Sequence, residues 1–149
     1  MTRRDRLVAV AAVAVALSMR VSAQSETYKA RLSPTPIESV KAGAVTGVGS
    51  VTATLAGRSL AVRGTFDGMR SPATIAQIHL GPRGVRGPVL FDVTVTKAAS
   101  GTLSGTFILT PELVEAVKRS RFYIQIHSES SADGNLWGWL LPLRPAGSP

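Results

Sequence analysis

The sequence predicts an all-β domain: an antiparallel Greek-key sandwich or barrel of seven or eight strands, with one short helix. Three observations predict this class. Short segments alternate apolar and polar residues, as strands with one buried face do. Turns rich in glycine and proline separate these segments at short intervals, a spacing typical of sandwiches and barrels. Only the segment after residue 109 has helical signals instead.

The first part of the domain is predicted to contain three strands. Residues 27–32 form a strand that the following prolines end, since proline has no N–H to donate to a ladder. Residues 45–55 and 60–66 then alternate on either side of a short turn. This arrangement predicts a β-hairpin.

The middle of the chain is predicted to contain three more strands, at residues 74–80, 89–96 and 103–109. In the second of them, the alternation places Val89, Phe91, Val93 and Val95 on one face. The segment 81–88 is rich in glycine and arginine and is expected to be a long turn. It lacks the lysine and the following serine or threonine of a phosphate-binding loop.

A short helix is predicted directly before the second histidine-bearing strand. Thr110 can cap it, Pro111 suits its first turn, and Glu112 suits the positive end of its dipole. Lys118 and Arg119 lie near its end, where cations are favourable. Two to three turns are expected.

The last part of the domain is predicted to consist of two strands. Residues 121–128 form the second histidine-bearing strand, 130–134 a polar loop, and 136–143 the closing strand. Residues 24–143 are thus one domain, and 144–149 are expected to be a disordered tail.

The N-terminus has the pattern of a secretory signal peptide over residues 1–23. Arg3, Arg4 and Arg6 precede an apolar run of 11 residues at 7–17, too short for a spanning helix of about 20 residues. Small residues precede an expected cut after Ala23. The protein is therefore expected to be secreted or periplasmic, without a stable membrane anchor after cleavage. The start also partly resembles a twin-arginine signal, so the export route stays open.

Charge and cysteine content narrow the classes of partner. The net charge of the whole chain is +8; residues 1–23 hold four arginines and one aspartate, which leaves +5 on residues 24–149. Export makes nucleic acid an unsuitable partner, whereas a protein or an anionic cell-surface polymer remains suitable. The absence of cysteine excludes disulfides, thiolate metal sites and cysteine nucleophiles.

Two similar segments hold both histidines of the chain. Gln77 and His79 share one face of the first segment, and Gln125 and His127 share one face of the second. Imidazole suits copper and zinc, but catalytic sites normally use three or more protein ligands. The alternative is that each histidine forms a hydrogen bond with a glutamine, a tyrosine or the backbone.

Four motifs together resemble the chordin-type (CHRD) domain family. In order they are Gln-Ile-His at 77–79 with a turn ending in Gly-Pro-Val at 87–89, Gly-x-Leu-x-Gly-x-Phe at 101–107, Tyr-x-x-x-His at 123–127, and Gly-x-x-x-Gly-x-Leu at 134–140. The resemblance covers roughly residues 27–143. It implies a non-enzymatic binding or structural role with an unknown ligand.

The layout of that family is also similar to the Greek-key barrel of copper-zinc superoxide dismutase. This similarity implies a second hypothesis, a copper- or zinc-binding redox protein with His79 and His127 as ligands. The chain departs from the His-x-His pattern at Gln77, and Asn135 and Trp137 stand where the family often has glutamate and arginine. The ligand set is incomplete, so we expect no cofactor and no enzyme activity under the first hypothesis.

A third hypothesis concerns the surface. Trp137 and Trp139 lie two residues apart on one face of the closing strand, and Arg83 and Arg86 lie in the 81–88 turn. If exposed together, they would form a binding surface for a polymer or a protein partner. The alternative is that both tryptophans belong to the core.

Overall fold

A computed structural model of the chain describes residues 24–36, 43 and 45–144. The predicted signal peptide and residues 145–149 of the predicted tail lie outside the described residues. The strands are β1 (Ser25–Pro34), β2 (Val48–Ala56), β3 (Ser59–Asp67), β4 (Ala73–Leu80), β5 (Val89–Val95), β6 (Gly101–Ile108), β7 (Phe122–Ser128), β8 (Ser131–Trp139) and β9 (Leu141–Pro142), and the helix is α1 (Pro111–Lys118). No helix within these ranges is both long and apolar enough to cross a membrane.

The strands form an antiparallel barrel of eight strands with one short extra strand. Their order is β2-β3-β6-β5-β4-β7-β8-β1-β9, and an additional pairing of β1 with β2 closes the sheet on itself. β6 therefore lies beside β3, and β7 lies beside β4, so the connections cross between non-sequential neighbours. This is the predicted all-β Greek-key class, with one helix among the described residues, and the prediction is confirmed.

Alternation along the strands fills the barrel with apolar side chains. In the β2–β3 hairpin, Val51, Ala53 and Leu55 pack against Leu60 and Val62, all buried. The turn between these strands contains Gly57, whose positive φ of 60° favours glycine. Because the intervening side chains point outward, the outer faces remain available for other contacts.

Helix α1 has the ends that the sequence predicts. The Thr110 side chain accepts a hydrogen bond from the Leu113 amide at 3.3 Å, and Pro111 is its first residue. Val117 is the helical residue that enters the core. The helix thereby connects β6 to β7, two strands that are not neighbours in the barrel.

A β-bulge changes the predicted phase of β5. Ile78 lies opposite Phe91 but His79 lies opposite Val89, so Leu90 is an extra residue on the β5 side. As a result, Val89 is 48% exposed while Val93 is buried. The predicted apolar face holds for Phe91, Val93 and Val95, which lie in the core or pack against it, and fails at Val89, because strict alternation ends at a bulge.

The predicted polar loop at 130–134 was also wrong. Ser128 lies directly opposite Ser131, and β8 begins at Ser131. The tight turn between them is held by the Ser131 amide, which donates to the Ser128 hydroxyl at 3.2 Å. The polar residue Asn135 of this strand is buried, and its side chain forms two hydrogen bonds. Its Oδ1 accepts from the Ser128 hydroxyl, and its Nδ2 donates to the Thr46 carbonyl oxygen.

The predicted closing strand 136–143 is divided in the structure. β8 ends at Trp139, and Leu141 and Pro142 form β9 against β1. Leu140 between them is fully buried, and its amide donates to the Phe122 carbonyl oxygen. The chain thus turns around a buried leucine instead of continuing one straight strand.

Candidate binding face

The candidate site lies on the outer face of β4, β7 and β8, which are neighbours in the barrel. Gln77 lies opposite Gln125 and His79 lies opposite Tyr123. On the other side of β7, Gln125 lies opposite Trp137 and Tyr123 opposite Trp139. The alternate positions, such as Ile78 and Ile124, are fully buried in the core. All the predicted site residues on these strands therefore share the outward face.

Both histidines form hydrogen bonds with backbone carbonyl groups. His79 Nδ1 lies 2.9 Å from the Gly87 oxygen, and His127 Nδ1 lies 2.7 Å from the Ala132 oxygen. A carbonyl oxygen can only accept, so in each ring Nδ1 carries the proton and donates. Each neutral ring then has its lone pair at Nε2.

The Nε2 atoms of His79 and His127 are both buried and have no hydrogen-bond partner among the described residues. His79 as a whole is 7% exposed. Burial lowers the pKa of His79 below its ordinary value, against the opposing effect of the Gly87 hydrogen bond, and so favours the neutral ring. Sequence reasoning gave the two histidines but could not give the tautomers or the unpartnered atoms.

Five rings form a continuous aromatic row across the three strands, which we define as His127, His79, Tyr123, Trp139 and Trp137. Successive centroids are 6.5, 4.8, 4.6 and 4.7 Å apart. His79 is stacked on Tyr123, and the two indoles meet edge to face. Tyr123 is fully buried in the middle of the row, and the sequence motifs did not predict this central position.

The segment 81–88 covers part of this row and is held against it by hydrogen bonds. The Gly87 amide donates to the Tyr123 hydroxyl at 2.9 Å, and the Trp139 indole donates to the Gly81 carbonyl oxygen at 3.0 Å. Arg86 Nη1 donates to the Asp133 carbonyl oxygen at 2.7 Å, and its guanidinium lies 5.8 Å from the Trp137 ring centroid. Several hydrogen bonds thus hold this connection in one position.

The two glutamines of the predicted site point to different partners. Gln77 donates to Asp92 at 2.9 Å near the surface. Gln125 is buried and donates to the Asp133 carbonyl oxygen at 2.9 Å. Neither contacts a histidine through a hydrogen bond, so the backbone alternative is the one that the structure supports for both imidazoles.

Trp137 and Trp139 are partly exposed, and Arg83 and Arg86 are exposed. Within the described ranges, the ion pairs join Lys118 to Glu26 and to Glu115, and none involves Arg83 or Arg86. The face therefore combines partly exposed indoles with two arginines that form no ion pair in the described part of the chain.

The residues do not fit a conventional metal centre. The described part of the chain has no group of three or more histidine, cysteine, aspartate or glutamate side chains that could hold a metal ion. The three-histidine copper set that the similarity to superoxide dismutase implies is incomplete, because residue 77 is a glutamine, and its side chain donates to Asp92. A tetrahedral zinc site would need further ligands as well.

The fold and the site together define a small β-barrel module with a rigid aromatic outer face. Comparison with protein families matches residues 28–140 to the CHRD domain, and the chain belongs to this family. This membership confirms the resemblance drawn from the sequence motifs and indicates a non-enzymatic binding or structural role. No curated protein and no solved structure matches the chain.

Proposed function

We propose that the protein is an exported binding domain that attaches to an acidic cell-surface glycan through the tryptophan end of the aromatic row. The observation that carries the proposal is the placement of Arg86 beside Trp137, which is partly exposed and packed edge to face on Trp139. Sugar rings have apolar C–H faces that pack on indoles, while acidic sugars also carry carboxylates that pair with arginine.

Charge favours an anionic ligand over a neutral one. Arg83 and Arg86 lie in one segment at the edge of the aromatic row and have no carboxylate partner in the described structure. Residues 24–149 carry a net charge of +5, which adds a general attraction for polyanions. A carboxylate that pairs with Arg86 would lie against the Trp137 ring.

The rigidity of the face lowers the entropic cost of binding. The side chains of Trp139 and Tyr123 are held by hydrogen bonds to the 81–88 segment, and Arg86 is held by the Asp133 carbonyl group. A surface whose rotamers are fixed before binding loses less conformational freedom when a ligand arrives. The signal-like pattern of residues 1–23 supports contact with a surface polymer outside the cytoplasm.

The test is a titration of the purified protein with polygalacturonate, and with dextran as the neutral comparison. We expect saturable binding of polygalacturonate with a change in tryptophan fluorescence, and none with dextran. Trp137→Ala should weaken binding by about tenfold, equivalent to about 1.4 kcal/mol. Arg86→Ala should weaken it and reduce its dependence on salt.

Arg63→Ala is the matched control. Arg63 is an exposed arginine of β3, on another side of the barrel, so the variant removes the same charge without touching the aromatic row. If Arg63→Ala weakens binding as much as Arg86→Ala does, the attraction is general and the proposed surface is wrong. Unchanged affinity in Trp137→Ala, with the native circular dichroism spectrum retained, would also contradict the proposal.

A further inference from the structure

The histidine end of the aromatic row contains two buried lone pairs without a partner. Nε2 of His79 and Nε2 of His127 are each buried, and neither has a hydrogen-bond partner in the described structure. A buried acceptor without a partner is unfavourable, and such atoms are rare in folded proteins. Here two occur on adjacent rings, with centroids 6.5 Å apart. Their coincidence points to a ligand that both atoms share.

Both rings are already fixed in the tautomer that a metal ion requires. Nδ1 donates to the Gly87 carbonyl oxygen in one ring and to the Ala132 carbonyl oxygen in the other. Histidines that bind a metal through one nitrogen usually donate the other N–H to a carbonyl or carboxylate group, which orients the ring. The Gly87 carbonyl group belongs to the 81–88 connection and the Ala132 carbonyl group to strand β8, so each ring is oriented by a different part of the chain.

The number of donors and their spacing select the class of cation. No third histidine, cysteine or carboxylate joins the pair among the described residues, so ions that need four or more ligands are poorly served. With metal–nitrogen bonds of about 2 Å, two imidazoles on opposite sides of one ion have centroids about 6 Å apart, against about 5 Å for a tetrahedral angle. The observed centroid separation of 6.5 Å is closer to the value for opposite sides, with the two ring planes tilted by 32°.

We propose that His79 and His127 bind one closed-shell monovalent cation, Cu(I) or its chemical analogue Ag(I), in linear two-coordinate geometry through their Nε2 atoms. Such d¹⁰ ions accept two nitrogen donors, whereas Cu(II) prefers a tetragonal set of four or more. Tyr123 stacks on His79 at 4.8 Å and shields one side of the pair from water. The proposed ligand atoms belong to side chains other than the tryptophans and arginines proposed to bind the glycan.

The probe for the test is Ag(I), because it does not change its oxidation state in air. We expect the purified protein to bind one Ag(I) per chain by isothermal titration calorimetry. In NMR spectra that correlate ring protons with ring nitrogens, the Nε2 resonances of both histidines should shift and the Nδ1 resonances should remain protonated. Zn(II) should bind at least 100-fold more weakly.

Asparagine variants of the two histidines remove the ligand atom Nε2 and keep a donor for the hydrogen bond to the backbone carbonyl group. In His79→Asn and His127→Asn the amide can still donate to the backbone carbonyl group, but no Nε2 remains. Each variant should lower the affinity for Ag(I) at least 100-fold. The melting temperature of each variant, measured in parallel, shows whether it is folded. Gln77→Ala, on the same face but bonded to Asp92, should bind normally. Met69→Leu, which removes the one thioether of residues 24–149, should also bind normally.

Three outcomes would overturn the proposal. The first is Ag(I) binding that persists in both folded asparagine variants. The second is Zn(II) binding as tight as Ag(I) binding, which would require ligands beyond the pair. The third is no stoichiometric binding together with Nε2 chemical shifts typical of a hydrogen-bonded nitrogen, which would assign the space to a bridging water molecule.

Discussion

Tyr28 on β1 is among the largest fully buried side chains, and its hydroxyl donates to Glu26 Oε2 at 2.6 Å. Burial and, to a smaller extent, this hydrogen bond raise the pKa of Tyr28 above its ordinary value of about 10. Glu26 also lies 3.8 Å from Lys118 of α1. A single phenol thus connects the barrel interior with the charged groups at its end.

We expect the free energy of unfolding to fall at alkaline pH because of Tyr28. The unfolded chain loses this proton near pH 10, while the folded chain keeps it to higher pH. The stabilisation is therefore fully present below about pH 10 and is lost as the pH rises through the folded value. Urea denaturation at several pH values from 7 upward should show a shallower alkaline decrease in Tyr28→Phe than in the natural protein. Parallel curves for the two proteins would contradict this expectation.

At the scale of single residues, the sequence predicted which side chains would meet but not their chemical state. Alternation placed Gln77 with His79 and Gln125 with His127 on shared faces, and the register confirms that the two faces coincide. The carbonyl partner of His79 comes from the 81–88 connection and that of His127 from the start of β8, and no pattern specifies the backbone course of either. Tautomers and unpartnered atoms depend on that course.

Among the connecting elements, the 81–88 segment is the one whose backbone most requires glycine. A Cβ atom at Gly87 would overlap the Leu80 carbonyl oxygen, and one at Gly81 would lie 2.6 Å from the Val85 carbonyl oxygen. Neither overlap involves the far end of a flexible side chain that could move aside. The close approach is what lets this segment lie over Tyr123 and His79.

We expect Gly87→Ala to destabilise the domain by about 1–3 kcal/mol, the usual cost of overpacking. It should also detach the 81–88 segment and alter the tryptophan fluorescence, since Trp139 donates to Gly81. Gly84→Asn is the control, because Gly84 has φ +80° with open space around it and asparagine tolerates that conformation. Equal melting temperatures for Gly87→Ala and the natural protein would show that the segment can relax.

At the scale of elements, local signals predicted most of the structure. The β2–β3 hairpin and the capped helix were predictable because a turn and a cap are each encoded within a few residues. The bulge at Ile78 and His79 and the start of β8 at Ser131 were not, since both depend on the partner strand. Closure of the barrel by β1 and β2 is likewise a long-range pairing that alternation cannot specify.

For the whole molecule, the proposed export gives a definite expectation about the N-terminus. Intact mass and N-terminal sequencing of protein from a secreting host should show a chain that begins at Gln24. Ala23→Leu should block the cut by enlarging a small residue before it. Replacing both Arg3 and Arg4 with lysine should stop export only by the twin-arginine route. Recovery of the uncut chain in the cytoplasm would contradict export.

The barrel wall is thinly paired at two junctions, between β5 and β6 and between β1 and β8, each with two paired positions. β5 and β6 pair at Thr94 with Ser104 and at Val95 with Leu103, whereas β3 and β6 pair at eight positions. Beyond these two pairs, Phe91 and Phe107 stack across the gap at 4.8 Å. The β5–β6 seam therefore relies on side-chain contact, whereas fully paired neighbours such as β3 and β6 rely on the backbone ladder.

Such a seam sets the order in which the molecule opens. Amide hydrogens of β6 and β5 near the gap should exchange with deuterium through local opening. Those of β2, β3 and β7 should exchange only through global unfolding. Thermal fluctuations would then part the wall between two halves, one carrying the aromatic row and the other the β2–β3 hairpin. A barrel that is closed on average would behave, on the timescale of amide exchange, as two curved sheets sharing a hinge.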